Sequence, residues 1–184
     1  MPNPTLIVID VQRAFDDAGW GPRNNPDAER HIAEALAAWR ARGAPVIHVR
    51  HASAEPGGRF IPGTPAFEFK PEAAPLEGEP VITKDVNSAF IGTDLEARLR
   101  EDGVETVALV GLTTDHCVSS TARMAANLGF DTWVLGDATA THQRRAPGGE
   151  LIPAEHMHRA ALASLDDEFA EVLPTRDALA RLRA

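Results

Sequence analysis

The 184-residue chain has a single cysteine, so it can form no disulfide within itself and no multi-cysteine zinc site. Whatever Cys117 does, it does as one thiol. No stretch approaches the roughly 18 uninterrupted apolar residues of a membrane span, and residues 1–10 lack a basic segment followed by a long apolar one. A cytoplasmic location is the expectation. Basic side chains are in deficit, 18 against 27 acidic for a net charge of −9, and there is no basic run. With nothing to attract a phosphate backbone or an anionic lipid surface, neither nucleic acid nor membrane is expected as a partner. Phosphate-cradling loops are missing as well. No G-x-G-x-x-G follows a strand pattern and no G-x-x-x-x-G-K-[ST] occurs, which excludes nucleotide chemistry of those types.

What remains is ordinary globular composition, 43% hydrophobic and 24% charged, far from disorder or coiled coil. A single domain over residues 1–184 fits the length, and about 70% of the chain's surface would be buried on folding without staples. Short apolar, β-branched runs predict strands at 5–10 (TLIVID), 45–50 (PVIHVR), 80–84 (PVITK), 106–112 (TVALVGL), 132–136 (TWVLG) and 170–173 (AEVL). Helical patterns lie between them. Asn25, Pro26 and two early acids open one that Gly43 closes, with Ile32, Leu36 and Trp39 at helical spacing. Thr93 and Glu96 form a capping-box pattern ahead of Leu95 and Leu99, ending at Gly103. Further helices are expected over 115–128, 154–165 and 175–182. Alternation of this kind predicts a three-layer α/β/α fold around a mostly parallel six-stranded sheet. Residues 52–80 break the pattern, holding six of the 14 prolines and four of the 14 glycines. Their phenylalanines argue for an ordered cover over the sheet edge or the site. Residues 141–153 have a similar loop character.

In a parallel sheet, ligands gather beyond the carboxyl ends of the strands. That rule selects Asp10 at the end of the first strand, Lys84 at the end of the third and Cys117 shortly after the fourth. Each alone has an ordinary structural explanation: a turn-forming acid, a solvated amine, a buried thiol. Together, an acid, a base and a thiol on one rim are what nucleophilic acyl chemistry needs. A helix N-terminus and the Lys84 charge are expected to favour the thiolate, while Asp10 accepts the thiol proton. Backbone N–H groups around Thr113 and Cys117 would face a developing oxyanion.

Three segments, LIVIDVQRAF, VITKDVNSAFIGTDL and VGLTTDHCVSSTARMAANLGF, resemble the isochorismatase-like cysteine hydrolases, a superfamily that includes nicotinamidases and other amidases. The resemblance spans about residues 6–141. It implies a Rossmann-like fold of isochorismatase type, with Asp10, Lys84 and Cys117 as a catalytic triad working through a thioester. It also implies a cis peptide between Leu112 and Thr113 beside the oxyanion loop, no cofactor, and a homodimer or homotetramer. Nicotinamidases carry an Asp-x-His metal pattern after the second strand, where this chain reads His48-Val49-Arg50-His51. Isochorismate-cleaving members lack the cysteine, so Cys117 points to hydrolysis of a C–N bond in a small amide-like substrate.

No metal site is expected, because His48 and His51 point to opposite faces of a strand and His156 and His158 are two apart on a helix. Candidates for the substrate pocket are the aromatics Phe15, Trp20, Phe60 and Phe90 and the histidines His51, His116 and His142. Gln12, Asn87 and Thr114 are candidates for polar orientation. The alternative function is a small-metabolite binding or regulatory protein that retains the hydrolase fold. A thiol redox sensor is a third reading, without a second cysteine to resolve it.

Overall fold

Both faces of the first strand are apolar, and both are covered. In the computed structural model, which describes residues 3–55 and 57–183, β1 (Thr5–Ile9) is buried along its whole length. Its side chains alternate between two cores, as the period of a strand requires. Leu6 and Val8 pack toward α1 (Ala28–Ala41), while Ile7 and Ile9 enter a second core on the opposite face.

Around β1 lie β2 (Val46–His51), β3 (Val81–Lys84), β4 (Thr106–Leu112), β5 (Asp131–Ala140) and β8 (Glu171–Leu173). Together they form a six-stranded sheet in the order β3-β2-β1-β4-β5-β8, and every pairing is parallel. Helices α1 and α5 (Thr175–Arg181) cover one face. Helices α2 (Leu95–Glu101), α3 (Ser119–Asn127) and α4 (Ala154–Ala163) cover the other. This is the expected three-layer α/β/α fold. Among the described residues, no helix is long and apolar enough to cross a membrane.

The helix starts differ from the sequence reading in instructive ways. Asn25 does not open α1, whose N-cap is Asp27. It sits in the left-handed region (φ 47) and donates its side-chain amide to the carbonyls of Asp137 (3.0 Å) and Thr139 (2.6 Å). Those carbonyls are freed because β5 bulges: Leu109 pairs with Val134, but Gly111 pairs with Thr139. The bulge explains why β5 runs past the five residues expected of it. Thr93 makes no capping box either. The N-cap of α2 is Asp94, and the Thr93 hydroxyl donates back to the Ala89 carbonyl at 2.6 Å.

The proline-rich segment 52–80 is a cover, as expected. It is tied to the first loop by the Lys70 N–H donating to the Val11 carbonyl and the Arg13 N–H to the Glu68 carbonyl, both 2.9 Å. The second loop contains a small hairpin, β6 (Arg144–Arg145) against β7 (Leu151–Ile152).

Candidate active site

The strand order lines up four carboxyl ends side by side. Lys84 is the last residue of β3 and stands in register with His51, the last residue of β2. Asp10 follows β1 in the left-handed region (φ 54), which a short polar side chain tolerates better than most. After β4 comes the peptide bond between Leu112 and Thr113, which is cis. A wide π turn over Thr114–Val118 then carries Cys117. Gly111 makes this approach possible. It stands opposite Ile9 at φ 125, and a Cβ there would lie 2.0 Å from the Ile9 carbonyl oxygen.

Lys84 Nζ is the hub. It lies 2.6 Å from Asp10 Oδ2, 3.2 Å from His51 Nδ1 and 3.4 Å from Cys117 Sγ. An ammonium has three donors and no acceptor, so three neighbours satisfy it fully. The bond also assigns the His51 tautomer: Nδ1 must accept, which leaves the proton on Nε2. Asp10 and Lys84 are sealed, at 1% and 2% exposure, while Cys117 is partly open. Ligand-type atoms of Asp10, His51 and Cys117 lie within 4.8 Å of one another, a cluster that the sequence reading did not foresee. All three converge on Lys84, which stands where a cation would.

The charge state of the sulfur differs from the expectation. Burial, and then the neighbouring Asp10 carboxylate, push the Cys117 thiol well above its ordinary range, and Lys84 offsets only part of this. These surroundings favour the protonated thiol over the thiolate. A helix terminus and a lysine favour the anion, but desolvation, which no motif shows, opposes it. Asp10 is also raised, chiefly by burial against the opposing pull of Lys84. Its Oδ1 is buried with no hydrogen-bond partner among the described residues, an open acceptor at the site.

Cys117 faces a cavity of about 180 Å³ lined by Phe15, Trp20, His51, Phe60, Asn87, Thr113, His116 and Arg144. Six of the expected pocket residues are among them. Phe15 packs edge-on to Phe60 with centroids 5.2 Å apart, and Trp20 lies 5.1 Å from Phe15, forming an aromatic wall. The structure places the other expected residues elsewhere. Gln12 is wholly buried and works as a strut, accepting from the His51 N–H (2.8 Å) and donating to the Phe67 carbonyl (2.9 Å). Phe90 stacks on Phe130 in the core, 6.0 Å between centroids. His142 lies behind the wall, stacked on Trp20 and Phe15, and burial with nearby Arg23 and Arg144 brings its pKa down to about 4. Thr114 is buried against His158 Nδ1 at 2.9 Å. Arg144 also lines the cavity, though no sequence pattern points to it. A larger depression, about 560 Å³, lies at the opposite ends of the strands, where Arg40 and Glu79 are already paired with each other.

Residues 4–177 match the family model described as the isochorismatase domain. The chain belongs to the isochorismatase family. It is 47% identical over 170 residues to the Bacillus subtilis isochorismatase family protein YrdC, covering 92% of this chain and 91% of that one. It is 36% identical over 178 residues to streptothricin hydrolase of Streptomyces noursei, covering 94% and 69% respectively. A crystal structure of an isochorismatase-family protein from Chromobacterium violaceum superposes with a TM-score of 0.94 at 47% identity, covering 97% of this chain and 92% of that one. The chain is therefore an isochorismatase-family hydrolase, with the sheet and helix layers of that fold.

Proposed function

We propose that this isochorismatase-family chain cleaves the C–N bond of a small amide by cysteine catalysis without a cofactor, with Asp10, Lys84 and Cys117 as its catalytic residues. The observation that carries the reading is Lys84 Nζ held between Asp10 Oδ2 (2.6 Å) and Cys117 Sγ (3.4 Å) at the floor of an open cavity. Two relatives support the bond type: streptothricin hydrolase and the more distant maleamate amidohydrolase of Pseudomonas putida.

Because burial and Asp10 favour a protonated sulfur, attack and proton transfer run together. Sγ adds to the amide carbon while its proton passes to Asp10, whose raised pKa suits it to hold one. The carbonyl oxygen becomes an oxyanion facing the backbone N–H groups of Thr113 and Cys117. As the C–N bond breaks, Asp10 returns the proton to the leaving nitrogen, and the acyl group remains as a thioester. Water then attacks the thioester, Asp10 takes a proton from it, and the sulfur leaves with that proton. The sum is amide plus water to acid plus amine. Lys84 holds carboxylate and sulfur in register throughout.

A panel of small primary amides, assayed for ammonia release, tests this. Cys117→Ala is expected to fall to background with its fold intact, and a slow substrate is expected to leave an acyl mass on Cys117. Full activity in Cys117→Ala would end the proposal.

A further inference from the structure

The π turn that carries Cys117 must hold its sulfur still, and its own bonds do only part of that work. Its far end is rooted in the core by Val118, which is fully buried. Within the turn, the His116 and Val118 N–H groups both donate to the Thr113 carbonyl at 3.2 Å. Those bonds shape the turn without tying it to the rest of the protein. At the near end two side chains make that tie. Asp115 accepts from Arg144 and from the Thr141 hydroxyl, both in the segment after β5. Thr114 Oγ1 meets His158 Nδ1 at 2.9 Å, on α4.

The two ties differ in what stands behind them. Arg144 belongs to a hairpin of two-residue strands, whereas α4 is a ten-residue helix packed on the sheet. A helix fixes a side chain more closely than a loop does. Thr114 is wholly buried, His158 is 8% exposed, and neither lines the cavity. Burial holds the His158 pKa below its ordinary value, against the pull of Glu155 and Asp115, so the ring is neutral near pH 7. Either tautomer serves, because a hydroxyl both donates and accepts. The chemistry proposed above uses neither residue, so the pair can act on the reaction only through the place it gives Cys117.

We infer that His158 is a positioning residue: its bond to Thr114 locks the start of the turn against α4 and so holds Cys117 Sγ at its 3.4 Å from Lys84. The turnover part of this inference rests on the cysteine-hydrolase reading. Misplacing a reacting atom by about 1 Å can cost on the order of 100-fold in rate, so a single hydrogen bond has leverage here.

Thr114→Val and His158→Phe each delete the bond at nearly constant shape, so each alone decides should the other not fold. In both, kcat for an amide is expected to fall about 10-fold or more with KM unchanged. The double variant is expected to lose no more than either single one. Thr114→Ser and His158→Asn keep a polar group at the same branch point and are expected to restore most of the rate. A second readout needs no turnover. The sulfur is held where burial and Asp10 push its thiol up, so releasing the turn is expected to lower the pH midpoint of Cys117 alkylation by iodoacetamide by about one unit or more. Gly43→Ala, which strains the chain at the opposite ends of the strands, is expected to move neither readout. Unchanged kcat and midpoint in the deletions, a loss carried by KM, failure of both conservative variants to restore the rate, or the same changes in Gly43→Ala would each overturn the inference. No turnover of any amide by the unmutated protein would count against the hydrolase reading, while the alkylation profile still judges the turn.

Discussion

His51 Nδ1 accepts a hydrogen bond from Lys84 Nζ at 3.2 Å, which places the imidazole proton on Nε2, the ring nitrogen with no partner among the described residues. Protonating His51 would set two cations against each other and remove that acceptor. Burial, with Lys84 second, already holds the His51 pKa below its ordinary value of 6.5. Activity is therefore expected to fall on the acid side below about pH 6.5, as His51 charges. His51→Gln, which can both accept and donate without titrating, is expected to keep much of the activity and lose that acid limb. A pH profile of kcat/KM that is unchanged in His51→Gln would contradict this.

Asp10 raises the Cys117 thiol and, in the proposal, receives its proton. Removing its charge therefore has opposite effects on two measurable rates. Asp10→Asn is expected to speed alkylation of Cys117 by iodoacetamide at neutral pH, because the thiol pKa falls. The same variant is expected to lose about 100-fold or more in turnover. Slower alkylation in Asp10→Asn would show that the carboxylate does not oppose the thiolate.

The close contact of β1 with β4 depends on a missing side chain. Gly111→Ala would press a Cβ against the Ile9 carbonyl and add strain at a positive φ. A loss of at least about 3 kcal/mol in unfolding free energy is expected, read from denaturant midpoints. Gly43, with open space around it, is the useful contrast: Gly43→Ala carries only the φ penalty and should cost less.

Five histidines, His48, His51, His116, His142 and His158, have pKa values lowered chiefly by burial. The unfolded chain binds protons before the folded one does, so stability is full above about pH 6.5 and falls as pH drops toward the His142 value of about 4. Asp10, raised on folding, works in the opposite sense but is one group against five. Glu29 and Glu79, lowered to about 2, extend the loss below the ordinary carboxylate range. Thermal midpoints should decline steadily from about pH 7 to pH 5, and a flat or rising curve there would refute the assignment.

Asp10, Lys84 and Cys117 were legible in the sequence because a parallel sheet converts strand order into a rim, and each residue stands at or just past a strand end. His51 follows the same rule and was read as a pocket residue. Gln12, Phe90 and His142 lie on loops or just beyond strands, where periodicity says nothing about which side chains turn inward. Gln12 instead spends its amide on backbone groups, and His142 is screened by Trp20 and Phe15. Arg144 could not be read because its placement depends on Asp115, 29 residues away in sequence. The upward push on the Cys117 thiol is illegible for a different reason: desolvation is a property of the packed site, not of any motif. One composition signal was available. The chain has only two lysines, Lys70 and Lys84, and both are buried.

Those two amines have a practical corollary. Lys70 is sealed by Asp16 and Glu29, and Lys84 by Asp10. Reagents that acylate lysine should find neither side chain in the native protein and both once the chain opens. Covalent labelling at these two positions would then serve as a clock for unfolding, recording each opening as a permanent mass increase.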